Sequence, residues 1–130
     1  MAPPLKLLAV DDDASSAELV VRIAERCGLE GFATTDSRGV INLVAALSPD
    51  ILAVDVSMPH LDVFELFGLL SQEGYQGDII VVSGQDPVML EMTAKAADAL
   101  NLRRPMLHQK PLDLAALRET FATLRAGRGA

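Results

Sequence analysis

The feature that most constrains the fold is a series of short, mainly apolar runs that lack regular polar alternation. Each run is bounded by charged or turn-forming residues and is followed by a segment in which apolar residues recur at helical spacing. The five runs are LLAV (7–10), EGFATT (30–35), DILAVD (50–55), DIIVVS (78–83) and PMLH (105–108). Strands without alternation are buried on both faces, which is typical of a parallel sheet covered by helices on each side. The sequence therefore predicts an α/β, doubly wound three-layer sandwich of βα units.

Helix boundaries are predicted from capping and breaking residues. Ser15 and Glu18 form a capping-box pattern before AELVVRIAERC, and Gly28 ends that helix. Asp36 or Ser37 is predicted to cap VINLVAAL, and Asp62 the third helix, which follows a loop with Pro59. The last three helices are predicted in LDVFELFGLLSQ (61–72), PVMLEMTAKAADAL (87–100) and LDLAALRETFATLR (112–125).

Composition narrows the class of protein. The chain has 130 residues, 50% of them hydrophobic, and a net charge of −7, which opposes nonspecific binding to nucleic acid. No apolar run approaches the roughly 20 residues of a membrane helix, and MAPPLK does not resemble a secretory signal. Cys27 is the only cysteine, which agrees with a reducing compartment. We expect a cytoplasmic protein with a disordered tail over 126–130.

Polar residues follow the predicted strands at their carboxyl ends. Asp11 and Asp12 follow the first strand, Asp55 ends the third, Ser83 ends the fourth, and Lys110 follows the fifth. In doubly wound sheets, ligands bind at this edge, so we expect the five side chains to converge there. Carboxylate oxygens suit Mg²⁺, with Mn²⁺ as a second option. A metal, an ammonium and a hydroxyl together favour phosphoryl transfer, in which a carboxylate can be the nucleophile.

With these motifs in order, the sequence resembles the receiver domain of two-component response regulators, of the single-domain type. LLAVDDD, DILAVDVSMP, IIVVSG and QKPLD carry the resemblance, which implies a receiver domain over 5–125 with strand order 2-1-3-4-5. It implies phosphorylation of Asp55 by a histidine kinase or histidine phosphotransfer protein, and a downstream protein target. It implies no activity beyond self-catalysed phosphoryl transfer and autodephosphorylation. From the charge and the short apolar runs we expect no direct nucleic acid contact and no membrane insertion.

The resemblance also implies a role for each site residue. Asp11, Asp12 and Asp55 are expected to ligate Mg²⁺ together with the backbone carbonyl of Ser57. Ser83 and Lys110 are expected to contact the phosphoryl group, Gly84 to leave it accessible, and the Lys110–Pro111 bond to be cis.

Two positions depart from the family pattern. Val63 stands where the family often has glycine, and Leu107 stands where it usually has Tyr or Phe, the aromatic residue that couples phosphorylation to the surface. These departures keep open an alternative function, an interaction module with vestigial phosphorylation. A small Mg²⁺-dependent phosphatase is disfavoured, because Ser57 replaces the second acid that such enzymes use.

Several polar residues have simpler interpretations. Asp13 is predicted to cap the first helix rather than bind metal, since carboxylates favour a helix N-terminus. His60 and His108 are predicted to be surface or packing residues, and Cys27 a packed residue at a helix end.

Overall fold

In the computed structural model, residues 3–58, 61–84 and 87–128 are described. In these ranges strands and helices alternate along the chain. They are β1 (Lys6–Val10), α1 (Ala14–Arg26), β2 (Glu30–Thr34), a 3₁₀ turn (Ser37–Gly39), α2 (Val40–Leu47), β3 (Ile51–Asp55), α3 (Val63–Gln72), β4 (Asp78–Ser83), α4 (Pro87–Ala99), β5 (Met106–Gln109) and α5 (Leu114–Arg128). Within the described ranges, no helix is both long enough and apolar enough to cross a bilayer.

The strands form one parallel sheet in the order β2-β1-β3-β4-β5. The predicted doubly wound architecture and its strand order are thus confirmed. In the register between β1 and β3, Val10 lies opposite Val54. The residues that follow these two positions, Asp11 and Asp55, therefore leave the sheet side by side.

The central strands are buried on both faces, and their side chains alternate between two apolar clusters. Leu8, Leu52 and Ile79 belong to the cluster that contains core residues of α2, α3 and α4. Leu7, Ile51 and Ile80, one residue earlier or later, belong to the cluster formed with α1 and α5. This arrangement explains why the strands lack polar alternation: each consecutive side chain enters one of the two cores.

The start of α1 differs from the prediction. Asp13, and not Ser15, is the N-cap: its backbone is extended, and its side chain accepts a hydrogen bond from Ser15 N–H at 3.0 Å. The Ser16 hydroxyl also donates to Asp13. The Ser15–Glu18 capping box is therefore wrong, because an aspartate with cap geometry comes two residues earlier. The structure confirms the simpler interpretation of Asp13 as a cap.

Two further caps agree with the prediction in part. Asp62 caps α3, since its side chain accepts hydrogen bonds from Phe64 N–H and Glu65 N–H. Asp36 caps the 3₁₀ turn, and α2 begins only after it, at Val40. Pro59, in the loop before α3, lies outside the described residues.

The C-terminal elements begin and end later than expected. β5 begins at Met106, because Pro105 has no N–H to contribute to the ladder with β4. α5 continues through Arg128, so the tail expected over 126–130 is helical for its first three residues; residues 129 and 130 lie outside the described ranges. Ala and Arg are good helix formers, and one glycine in a last turn is tolerated.

The cap assignment of α1 can be tested by stability. Replacement of Asp13 by Ala should lower the free energy of unfolding by about 1 kcal/mol, because the Ser15 amide loses its acceptor. Ser15→Ala should change it by less than about 0.5 kcal/mol, since that side chain is exposed. Urea denaturation of both variants measures the difference, and a larger loss for Ser15→Ala would restore the capping box.

Candidate functional site

The carboxyl edge of the sheet brings together the five polar residues selected from the sequence. Asp11 and Asp12 follow β1, Asp55 is the last residue of β3, and Ser83 is the last residue of β4. Lys110 follows β5, and its N–H donates to the Ser83 carbonyl at 2.8 Å. Parallel strands all end at this edge, which explains why residues almost a hundred positions apart meet here.

Lys110 bridges two of the carboxylates. Its Nζ donates to Asp11 Oδ2 at 3.0 Å and to Asp55 Oδ2 at 2.9 Å. The two carboxylate side chains are only 7% and 3% exposed, whereas the Lys110 side chain is 26% exposed. One ammonium therefore compensates two nearly buried negative charges, and the three groups carry a net charge of −1. The Lys110–Pro111 bond is cis, as predicted.

The pKa values of Asp11 and Asp55 are shifted in opposite directions. Burial raises the pKa of Asp11, and the hydrogen bonds from Asp13 N–H and Lys110 only partly oppose it. Burial also acts to raise the pKa of Asp55, but hydrogen bonds from Ser57 and Lys110 outweigh it, so this pKa lies below its ordinary value. Asp55 is thus kept ionised, which is the form that a carboxylate nucleophile needs.

Ser57 contacts Asp55 through two donor groups. Its backbone N–H donates to Asp55 Oδ1 at 2.9 Å, and its hydroxyl donates to the same oxygen at 2.5 Å. The hydroxyl contact was not predicted. A serine two residues after an aspartate at a strand end is the available signal, because an Asp side chain commonly accepts hydrogen bonds from the residue two positions later.

Ser83 is completely buried at the end of β4. Asp55 lies opposite Val82 in the ladder between β3 and β4, so Ser83 is one position beyond Asp55 along the edge. The structure thus places Ser83 next to Lys110 in the backbone ladder, with Gly84 exposed directly after it.

The acidic residues fit a divalent cation. Asp11, Asp12 and Asp55 each offer a carboxylate oxygen, and these oxygens lie within 4.8 Å of one another. Asp12 is exposed, so the cluster is open to solvent on one side. A set of oxygen ligands that is partly open to water is the kind of site that Mg²⁺ uses.

His108 and Cys27 have partners outside this cluster. His108 is half-buried on β5 and shares a hydrogen bond with the Thr120 hydroxyl of α5, which supports its interpretation as a packing residue. His60 lies outside the described residues. Cys27 is the C-cap of α1, and its carbonyl accepts a hydrogen bond from Arg125.

The two departures from the family pattern have different surroundings. Val63 is the first residue of α3 and is 3% exposed in the core between the sheet and α2, α3 and α4. It therefore anchors the start of α3 by apolar packing. Leu107 is 36% exposed on β5, opposite Val81.

Comparison with known proteins identifies the family. The family profile described as "Response regulator receiver domain" matches residues 7–121. The chain belongs to the response regulator receiver domain family. Receiver domains of this family are signalling modules of two-component systems that bind Mg²⁺ at an acidic pocket and interact with histidine kinases or phosphotransfer proteins.

Curated relatives are longer than this receiver domain. It is 31% identical over 124 residues to the response regulator MprA of Mycolicibacterium vanbaalenii, a match that covers 95% of the chain and 50% of the relative. It is 31% identical over 136 residues to protein-glutamate methylesterase/protein-glutamine glutaminase 5 of Myxococcus xanthus, with 98% and 38% covered. The chain thus spans half or less of the length of these relatives.

Solved structures agree on the fold. A response regulator from Colwellia psychrerythraea has a TM-score of 0.81 at 23% identity, with 95% of this chain and 98% of that chain covered. A response regulator receiver domain from Bermanella marisrubri has a TM-score of 0.75 at 26% identity, with 92% and 96% covered.

The ion pairs of Lys110 with Asp11 and Asp55 should contribute strongly to the free energy of unfolding. Lys110→Met leaves two nearly buried carboxylates without their cation, and we expect the free energy of unfolding at neutral pH to fall by about 1–3 kcal/mol. Lys6→Met is the matched control, because Lys6 lies at the opposite edge of the sheet and its Nζ donates to a backbone carbonyl, that of Leu47, at 3.3 Å. Equal losses in the two variants, measured by urea denaturation, would contradict the importance of the bridge.

His108 should make stability depend on pH. Burial lowers the pKa of His108, and the Asp113 charge only partly opposes this. The unfolded chain then binds this proton more readily than the folded chain, so the free energy of unfolding should fall as the pH decreases through about 6.5. His108→Gln should flatten this slope in denaturation curves between about pH 7.5 and pH 5. An unchanged slope would show that other groups cause it.

Proposed function

We propose that this receiver domain is a phosphorylation-activated switch in which Asp55 accepts a phosphoryl group from a histidine kinase or histidine phosphotransfer protein. The observation that carries the proposal is the Lys110 ammonium between Asp11 and Asp55, beside a third carboxylate, at the carboxyl edge of the sheet. A binding module without phosphoryl chemistry does not need three carboxylates held this close, because their mutual repulsion costs stability.

The transfer is a displacement at phosphorus. A carboxylate oxygen of Asp55 attacks, a new O–P bond forms, and the bond between phosphorus and the donor's imidazole nitrogen breaks with its electron pair left on that nitrogen. The product is an acyl phosphate on Asp55. The lowered pKa of Asp55 supports this role, because the attacking carboxylate is ionised at neutral pH.

Asp11, Asp12 and Asp55, with the carbonyl of Ser57, are the residues that would hold Mg²⁺ or Mn²⁺. The bound ion would supply positive charge to phosphoryl oxygens during transfer. The role of Asp11 and Asp12 is then to fix the ion next to the attacking carboxylate. The raised pKa of Asp11 comes mainly from burial and would fall when a cation compensates its charge.

Lys110 and Ser83 are proposed to contact the phosphoryl group. The ammonium of Lys110 already lies at Asp55 Oδ2, so a short movement would take it from the carboxylate to a phosphoryl oxygen. Ser83 is buried beside it, and its hydroxyl is proposed to donate to another phosphoryl oxygen as the end of β4 adjusts.

The proposed switch acts on a downstream protein target. Leu107 replaces the family's usual aromatic residue and is partly exposed. We therefore propose that a protein target binds a surface formed by α4 and β5, and that this binding does not depend on rotation of an aromatic ring at position 107. The protein's own chemistry is limited to self-catalysed phosphoryl transfer and autodephosphorylation. The cytoplasmic location expected from the sequence stays a prediction.

The test is intact-protein mass spectrometry after incubation with acetyl phosphate and MgCl₂. Wild-type protein should gain the mass of one phosphoryl group, and the gain should disappear with chelator and in Asp55→Asn, because the nucleophile or the cation is then missing. Asp50→Asn is the matched control: it changes the same side chain at the start of β3, at the opposite edge, where Asp50 Oδ2 accepts the Lys6 N–H.

Two results would contradict the proposal. An adduct that persists in Asp55→Asn would place the phosphoryl group elsewhere. No adduct on the wild type, with acetyl phosphate and with phosphorylated histidine phosphotransfer proteins as donors, would favour the interaction module with vestigial phosphorylation.

A further inference from the structure

The two oxygens of Asp55 have different partners in the resting protein. Within the described parts of the chain, Oδ2 accepts one hydrogen bond, from Lys110 Nζ at 2.9 Å. Oδ1 accepts two hydrogen bonds, both from Ser57: the backbone N–H at 2.9 Å and the side-chain hydroxyl at 2.5 Å. The hydroxyl contact is the shortest of the three, and it belongs to an exposed residue.

This pattern limits what the carboxylate can bind. A carboxylate oxygen accepts about two hydrogen bonds, so the two donors of Ser57 fill Oδ1. Oδ2 retains one position beside Lys110. A carboxylate that holds a cation with one oxygen and attacks phosphorus with the other needs an open position on both oxygens. The Ser57 N–H is fixed in the backbone, so its hydroxyl is the group that can leave.

We propose that the Ser57 hydroxyl is a positioning group that competes with Mg²⁺ for Asp55 Oδ1. In the resting state it holds the carboxylate in the orientation that Lys110 also contacts, and it must turn away before both oxygens are used. The side chain at position 57 then affects how tightly the site binds Mg²⁺. This inference rests on the proposed function for its kinetic consequence, while its effect on cation binding does not.

The first test measures Mg²⁺ affinity by isothermal titration calorimetry with MgCl₂ alone. Ser57→Ala removes the competing donor and keeps the backbone carbonyl, so the dissociation constant should decrease by about three- to tenfold. Ser57→Thr keeps a hydroxyl at the same position and should return the constant toward the wild-type value.

Ser16→Ala is the matched control. The Ser16 hydroxyl donates to a neighbouring carboxylate, Asp13 Oδ2, at 3.1 Å, but does not contact Asp55. Its loss should leave Mg²⁺ affinity within about twofold of the wild type. Unchanged or weaker binding in Ser57→Ala would overturn the proposal, and so would an equal gain in Ser16→Ala, because the effect would not depend on Oδ1.

The second test measures the rate of adduct formation from acetyl phosphate at an MgCl₂ concentration well below the wild-type dissociation constant and again at saturating MgCl₂. At the low concentration Ser57→Ala should react about three- to tenfold faster than the wild type, because more of the protein holds the cation, and Ser57→Thr at an intermediate or wild-type rate. At saturation the variants should react at similar rates. If the adduct forms but Ser57→Ala reacts no faster than the wild type at the low concentration, competition at Oδ1 is overturned. If no variant forms an adduct while Ser57→Ala binds Mg²⁺ more tightly, the proposed function fails and the competition for Oδ1 is supported.

Discussion

The site depends on the register between β1 and β3. Val10 lies opposite Val54 in this parallel ladder, so Asp11 and Asp55 leave the sheet at the same level and their carboxylates are forced together. Repulsion between two nearly buried charges must then be compensated, and Lys110 does so from β5, two strands beyond β3. The strand order and register therefore determine both which charged side chains meet at this edge and which of their charges compensate one another.

Compensation by one ammonium leaves the cluster short of positive charge. Burial, with a smaller contribution from the Asp55 charge, raises the pKa of Asp11, whereas hydrogen bonds from Ser57 and Lys110 lower that of Asp55. A pair of like groups whose pKa values are driven apart in this way commonly performs two different tasks. Here the same geometry provides an ionised carboxylate, the nucleophile of the proposed function, and a neighbouring carboxylate suited to a cation.

The departures from the family pattern concern the surroundings of the site more than the site itself. Val63 is absorbed into the core at the start of α3, where a glycine would provide no apolar contact and would weaken the helix. Leu107 is partly exposed, so the surface of β5 carries an aliphatic side chain where the family usually has an aromatic one. The family assignment fixes the class of protein, while these two positions distinguish this chain within it.

The sequence alone was sufficient for the architecture and for the choice of residues at the carboxyl edge. Apolar runs without alternation determine a buried parallel sheet, and an acid, a serine or a lysine at or just after the end of four of the five runs marks its carboxyl edge. Local signals were less reliable at helix ends. Asp13 rather than Ser15 caps α1, and α5 continues past the expected start of the tail.

The tertiary structure alone decided which oxygen of each carboxylate meets which donor. The Ser57 hydroxyl on Asp55 Oδ1, the Lys110 ammonium on both Oδ2 atoms and the complete burial of Ser83 depend on side-chain rotation and on strand register. Such contacts are set within about 1 Å by the packing of several elements at once, and a pattern of residue types along one chain does not contain that distance.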